Sequence, residues 1–386
     1  MVFSLQFEPL TLREVRSLGR PKPPAITVLL PSYVPGSMAK PIASRLKSAV
    51  DKVTQTLDRL ALPHRDLAML TAPILSLTHE PIFREGRRNG VALFVDRDGF
   101  HCFEAPGDIP ESVVVSNHFH VKPLLRTLLE PREFLILELA QGKVRLIEAD
   151  GDSMRERPLP RGVPESLDQI SSPEIPDHTR INRTAGGRGK EKTQAISFGL
   201  TSASEDRRMQ FFCTLLDRGL SAFLQERGLP LILAGGDRIL SAYQKENSYH
   251  GTILGALHGN IEYLSHEEII DRARTLIKCD LTRRGRQYLA ELEEFAPGDR
   301  WSATLEDVLV AAAQGRVWRL FLADGVSCEG DYSSIVHAES APHVSLPEDL
   351  VNAAVAETIA FGGEIYLLPP ESMPAPVAAL FRYSLA

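Results

Sequence analysis

Cysteine is scarce and scattered: Cys102, Cys213, Cys279 and Cys328 stand singly, with no Cys-x-x-Cys pair and no histidine pair at metal-ligand spacing. That argues against a zinc site or a disulfide framework and for a reducing compartment, with buried, inert thiols. No apolar run approaches the roughly 18 residues that cross a bilayer. The start, MVFSLQFEPLTLREVRSLG, lacks the basic opening and continuous apolar stretch of a secretory signal. The expectation is a cytoplasmic protein with no membrane partner. Excess positive charge is missing too: 43 Lys and Arg face 50 Asp and Glu, a net charge of −7. Such a balance argues against a protein that coats nucleic acid non-specifically, and no DNA partner is expected. There is no internal repeat, no low-complexity tract and no Gly-x-Ser-x-Gly elbow for a hydrolase triad.

What is present begins with size and one unusual stretch. A chain of 386 residues, 43% hydrophobic and 24% charged, has room for two or three domains that each bury a core. Between two segments that read as folded, 171–204 (SSPEIPDHTRINRTAGGRGKEKTQAISFGLTSAS) shows almost no apolar periodicity. Loops longer than about 12–15 residues are uncommon in compact domains unless they have a use. Its middle sets Arg180, Arg183, Arg188, Lys190 and Lys192 against the single acid Glu191, around Gly186, Gly187 and Gly189. A cationic, glycine-centred arm on an acidic chain suits a confined, anionic target. The bland alternative is a surface loop without a target.

Periodicity places the remaining elements. Strands are expected at Ala25–Leu30, Gly90–Val95, Val113–Val115, Phe134–Leu139, Lys143–Glu148, Pro230–Ala234, Val317–Ala323 and Glu364–Leu368. Helices are expected at Ile42–Leu60, Val121–Leu129, Glu205–Arg227, Asp237–Asn247, Ser265–Lys278, Thr282–Glu294, Leu305–Gln314 and Asp349–Phe361. Asp96–Gly99 carries hairpin-turn chemistry, Ser265 with Glu268 forms a capping box, and Thr304 with Asp307 is read as a second cap. Strands alternating with helices define an α/β chain. Its segments are 1–130, 131–264 with the long basic loop, and 265–386.

Four stretches in this order resemble the archaeal and eukaryotic class-I peptide-chain release factors and their Pelota-type relatives, in particular the bacterial branch of that superfamily. They are Val113–Leu129 (VVVSNHFHVKPLLRTLL), Phe134–Asp150 (FLILELAQGKVRLIEAD), Pro230–Asp237 (PLILAGGD) and Trp301–Ala323, with the ending Ala378–Tyr383 (AALFRY) in support. The resemblance implies three α/β domains in a tRNA-mimicking arrangement. The middle domain would be of the RNase H/ribosomal L18 type and the C-terminal one of the ribosomal L7Ae/L30e type. In that family a basic loop ending in Gly-Gly-Gln enters the peptidyl transferase centre, and the Gly186-Gly187 loop occupies the corresponding place. The rRNA-contacting residues so implied are Arg180, Arg183, Gly186, Gly187, Arg188, Gly189, Lys190 and Lys192. Glycines there let backbone amides approach closely, and the cations offset phosphate charge.

Departures from the family pattern are informative. Arg188 stands where the family's catalytic Gln would be, and the nearest Gln is Gln194. Arginine cannot copy an amide's positioning of water at about 3 Å. At the stop-codon-reading positions stand Val113 and Val115 in place of Tyr and Cys, with Phe119 kept, and no Asn-Ile-Lys-Ser appears near Ala61–Ala72. The implied function is a ribosome-binding, tRNA-shaped factor for rescue of stalled ribosomes or hibernation, without stop-codon reading and without peptidyl-tRNA hydrolysis. The ribosome, through A-site rRNA, is the expected partner, and a translational GTPase is a second one. Two alternatives are a peptidyl-tRNA hydrolase using the Gly186-Gly187 backbone and a stress-linked protein-interaction module.

Other signals weigh less. AGGRGKE (185–191) fails as a phosphate loop because Ala185 and Glu191 stand where Gly and Ser or Thr are required, so no nucleotide or other cofactor is expected. His118 and His120 lack a third ligand nearby and read as structural hydrogen-bonding residues. Glu267-Glu268 and Glu293-Glu294 read as solvated helix faces. Arg84, Arg87 and Arg88, and Arg283, Arg284 and Arg286, form two further basic clusters that could line an RNA-facing side.

Overall fold

The computed structural model describes residues 8–32, 40–60, 62–80, 83, 89–106, 109–140, 142–151, 153–170, 194–295, 300–336 and 346–383. The chain divides into two compact units, one made of 1–130 with 281–386 and the other of 131–280. Both are mixed α/β.

The first unit opens with α1 (Leu12–Leu18), β1 (Ala25–Leu30), α2 (Ile42–Arg59), α3 (His64–Leu77), β2 (Gly90–Val95), β3 (Phe100–Ala105), β4 (Ser112–Ser116) and α4 (Leu125–Leu128). The sheet runs β3-β2-β1-β4, antiparallel throughout, with Ile26 opposite both Val95 and Val115. Every residue of β1 and β2 is buried, because both faces of this sheet are covered. That is why neither strand alternates in sequence. One face, with Ile26, Val28 and Leu93, packs on the α2 stripe Leu46, Ala49, Val53 and Leu57 and on Leu70, Ile74 and Leu77 of α3. Helix α3 escapes sequence reading because Pro73 lies inside it. Burial of its apolar stripe outweighs the roughly 3 kcal/mol that an interior proline costs. The turn between β2 and β3 forms as expected, the Asp96 carboxylate accepting from the amides of Asp98 and Gly99 at 2.9 Å each. The short helix expected at Val121–Leu129 is a 3-10 turn, Lys122–Leu124, followed by α4.

The second unit holds β5 (Glu133–Leu139), β6 (Val144–Asp150), β7 (Ser153–Arg157), α5 (Gln194–Arg227), β8 (Leu231–Gly235), α6 (Asp237–Glu246) and β9 (Ile253–His258), and α7 (His266–Phe295) begins in it. The sheet order is β7-β6-β5-β8-β9: an antiparallel meander β5-β6-β7 extended by the parallel pairs β5-β8 and β8-β9. Leu135, Leu137, Leu146 and Leu233 of one face bury against Met209, Phe212, Leu216, Leu220 and Leu224 of α5 and Ile239, Leu240 and Tyr243 of α6. Two expectations are corrected here. The loop read as 171–204 stops earlier, since α5 starts at Gln194. Once the apolar turns beyond Met209 are docked, each residue added upstream gains a backbone bond without a new nucleus, so 194–204 needs no stripe of its own. The two helical stretches expected on either side of 278–282 form one helix, α7. Its start carries the expected box, in which Ser265 Oγ accepts from the Glu268 amide at 3.2 Å and Glu268 Oε2 accepts from the Ser265 amide at 2.8 Å.

The remainder of the first unit comprises β10 (Trp301–Ser302), α8 (Leu305–Ala313), β11 (Val317–Ala323), β12 (Glu329–Gly330), α9 (Tyr332–Val336), β13 (Glu348–Asp349), α10 (Leu350–Ala360), β14 (Glu364–Leu368) and β15 (Val377–Phe381). Its sheet is β10-β15-β11-β14, with β11 and β14 parallel and β15 antiparallel to β11. The Thr304 side chain makes no cap bond to α8; Asp307 accepts instead from Ser302 Oγ at 2.9 Å, and that hydroxyl accepts from the Thr304 amide at 3.1 Å. One hydrophobic core joins the two ends of the chain. Leu29, Phe94, Phe119, Leu124 and Leu125 pack with Val308, Leu309, Leu320, Leu322, Val351 and Val355. Two exposed thiols, Cys279 and Cys328, depart from the expectation of burial, whereas Cys213 is buried and its thiol is pushed up to about 12, chiefly by burial and also by Glu246.

Gly235, at φ +155°, closes β8 where an added Cβ would lie 2.4 Å from the Leu139 carbonyl oxygen. Gly235→Ala is expected to cost roughly 3 kcal/mol, read as a lowered urea midpoint. Gly236→Ala, with open space around it, is expected to change stability by less than about 1 kcal/mol.

Candidate functional site

The loop residues Arg180, Arg183, Gly186, Gly187, Arg188, Gly189, Lys190 and Lys192 lie outside the described residues, as do Arg84, Arg87 and Arg88. What the structure describes is the platform on which segment 171–193 begins and ends. Upstream, a 3-10 turn at Leu167–Gln169 leads to Ile170, buried in the α5 core with Val163. Arg208 of α5 donates to the Leu167 carbonyl at 2.9 Å and faces Asp168 at 3.5 Å. A Cβ on Gly219 would come within 2.5 Å of Val163 Cγ2, so this strap lies directly on the helix. Downstream, Gln194 is the first residue of α5. Both ends of the segment thus join α5, one through the strap packed on it and one directly. Arg286, from the third basic cluster, donates to Ser372 Oγ at 2.9 Å, and Arg283 and Arg284 stand on the same helix, α7.

The segment Ser116–Lys122, by contrast, is placed in full. It leaves β4 and runs into the 3-10 turn, with Phe119 buried edge-on against Phe94 at 5.3 Å. Several of its polar groups meet residues more than 200 positions away. His118 Nδ1 lies 2.9 Å from Glu348 Oε2 and its Nε2 3.1 Å from Glu357 Oε1. Asn117 Nδ2 donates to Glu348 Oε1 at 3.1 Å, and the Tyr332 hydroxyl donates to Glu357 Oε1 at 3.3 Å, its ring edge-on to the imidazole at 4.6 Å. Arg20 Nε closes the set on Glu357 Oε2 at 2.6 Å. Asn352 Oδ1 accepts from the amides of Val121 and Lys122 at 2.9 and 3.0 Å, and its Nδ2 donates to the Phe119 carbonyl at 3.0 Å. Lys122 pairs with Asp349, which also caps α10 through the Val351 amide at 3.1 Å.

Geometry narrows the charge state. A neutral imidazole donates once, so a carboxylate at each ring nitrogen requires an extra proton. Burial, the largest single influence, favours the neutral ring, but hydrogen bonds donated to Glu348 and Glu357, and the charges of those carboxylates, outweigh it and raise His118 from 6.5 to about 9. The cations His118 and Arg20 then balance the anions Glu348 and Glu357. This arrangement welds the two ends of the chain within their unit; it offers no reactive group to solvent. His120 is held below its ordinary value chiefly by burial. A cavity of about 300 Å³ nearby is lined by Lys122, Arg126, Asp324 and Leu367, but Lys122 is paired with Asp349 and Arg126 with Asp324. Among the described residues no group of His, Cys, Asp or Glu could hold a metal, and no helix is long and apolar enough to cross a membrane. The structural reading of His118 is right, yet its partners carry no local sequence signal.

Residues 133–316 match the model of bacterial archaeo-eukaryotic release factor family 3. Over that span, from β5 to the residue after Gly315, the chain is similar to the bacterial branch of the archaeo-eukaryotic release factor superfamily. Three solved structures are similar along most of the chain. Pelota of Archaeoglobus fulgidus is 13% identical, with 98% of this chain and 94% of that one covered and a TM-score of 0.34. Ribosome-bound archaeal Pelota with ABCE1 is 10% identical over 98% and 96%, with a TM-score of 0.36. Dom34 of S. cerevisiae, a translation termination-like factor interacting with Hbs1, is 12% identical over 77% and 80%, with a TM-score of 0.34. Likeness at this level carries no functional argument by itself. No curated protein matches the chain.

Because the folded value of His118, about 9, lies above its ordinary 6.5, its contribution is full below pH 6.5 and is lost as pH rises through 9. Urea unfolding of the full chain is expected to lose about 3 kcal/mol across that window. His118→Leu, which removes the cation shared by both buried glutamates, is expected to cost about 3–5 kcal/mol at neutral pH and to flatten the slope.

Proposed function

We propose that this chain is a ribosome-binding, release-factor-like translation factor that acts without reading a stop codon, in rescue of stalled ribosomes or in their hibernation. The observation that carries the proposal is the family match over 133–316, which encloses the basic Gly-Gly segment between β7 and α5. In this reading the segments 1–130, 131–264 and 265–386 follow the plan of a tRNA, and the arm 180–192 reaches toward the peptidyl transferase centre in the A site. Its cations Arg180, Arg183, Arg188, Lys190 and Lys192 screen rRNA phosphates, and Gly186, Gly187 and Gly189 allow close backbone approach. Arg188 in place of a water-positioning amide supports occupancy over peptide release. A translational GTPase as delivery partner belongs to the same proposal.

Co-sedimentation of the full chain with bacterial ribosomes at low salt tests this, and a wild-type protein left in the supernatant overturns it. Reversing Arg183, Arg188 and Lys190 to Glu is expected to weaken binding at least about tenfold and to lower the slope of log K against log salt by about 2. Labelled peptide should stay on stalled ribosomes when the protein is added. Release that disappears with Gly187→Ala would establish a hydrolase instead.

A further inference from the structure

We infer that the middle unit carries a binding site for RNA backbone phosphate where β6, β7 and the end of α5 meet, separate from the 171–193 segment and resting on the ribosome-binding reading for its biological target. Glu148 of β6 is the organising group, its side chain only 6% exposed. Register puts Arg155 of the neighbouring strand directly opposite it, and Arg157, two residues on, points to the same face. Arg227 enters from the last turn of α5. All three guanidinium groups converge on one atom, Glu148 Oε2: Arg157 is hydrogen-bonded to it, Arg227 Nη2 is 3.6 Å away and Arg155 Nε 3.8 Å.

Three cations on one carboxylate leave a local excess of two positive charges. The nearest acids on β6 and β7 are engaged elsewhere, Asp150 with Arg132 at 2.8 Å and Glu156 with Lys143 at 3.5 Å. The carboxylate is the buried side of the cluster and the guanidinium groups the outer side, with side-chain exposures of 64% for Arg155, 38% for Arg227 and 31% for Arg157. The Phe223 ring, 5.8 Å from the Arg227 guanidinium, limits where that side chain swings. Each guanidinium offers five N–H donors in a planar fork, and a single carboxylate oxygen uses few of them. The donors left over, on side chains that are 31–64% exposed, are of the type that holds a tetrahedral oxyanion. Edge-strand protection explains one charged residue on β7, the outermost strand of the sheet. It does not explain arginines from two elements gathered around a buried acid.

The test uses the full chain, with Arg155→Gln/Arg227→Gln as the variant, because these two groups hold Glu148 at 3.6–3.8 Å and leave the tight Arg157 pair intact. Binding to a short RNA duplex and to bacterial ribosomes is measured across a salt series, with Arg238→Gln, paired with Asp206 and Glu205, as the control for loss of a distant charge. The double variant is expected to bind both targets about tenfold more weakly, with the slope of log K against log salt lowered by about 2, and with an unchanged urea midpoint. Should that midpoint move, Arg155→Gln alone carries the test, with about half the change in slope. Unaltered RNA affinity and slope, or no RNA binding by the wild type, overturns the site. An RNA-duplex effect without any ribosome binding supports the site while removing the ribosome as its target. Ribosome binding insensitive to the variant removes the site while sparing the ribosome reading.

Discussion

A protonated histidine buried between two glutamates is the constraint on which the larger unit depends. Apolar packing brings β1, β2 and the Phe119 segment against α8, β11 and α10, but apolar contact is non-directional and tolerates sliding. His118, Asn117 and Asn352 supply direction. His118 and Asn117 must meet Glu348 of β13 and Glu357 of α10 at hydrogen-bond distance, and Asn352 of α10 must meet the backbone of the Phe119 segment. Two buried anions with two cations lose little to desolvation only if all four are in place, so the junction is all-or-none. The stretches 1–130 and 281–386 consequently behave as one folded body, with a shared core rather than a hinge between them.

The second unit solves a different problem. Both ends of the segment 171–193, which carries five cations and three glycines, have to be held. Helix α5 does this from one side and the Val163–Ile170 strap from the other, both anchored in the same leucine-rich core. Charge follows the same division of labour. The chain as a whole is acidic, yet Glu148 collects three arginines on the unit that carries the basic segment. An acidic body with local cationic sites repels non-specific polyanions at long range and still engages phosphates at contact, within a Debye length of about 8 Å.

Much of this was legible residue by residue. Helix α2 announces itself through Leu46, Val50, Val53 and Leu57, the β2–β3 turn through Asp96 and Gly99, and the start of α7 through Ser265 and Glu268, because each signal is satisfied by neighbours a few positions away. The order of such signals, with Gly186-Gly187 between a hairpin and a long helix, was enough to reach the release-factor superfamily. Thr304 failed as a cap because Ser302 and Asp307 found each other first. Helix α3 was hidden by Pro73, and the start of α5 by the lack of a stripe in 194–204. In both cases a helix persists through energy supplied elsewhere along its length.

Local periodicity, turn chemistry and family order are therefore properties of the chain read as a string, since the interactions behind them span a handful of residues. The fate of His118 and of Glu148 is not. An NHFH tetrapeptide says nothing of Glu348 or Glu357, some 230 residues downstream, and nothing around Glu148 says that Arg227 ends a helix beside it. Only the closed fold pairs these charges, because Coulomb and hydrogen-bond energies depend on separation in space and on burial, neither of which one-dimensional order contains.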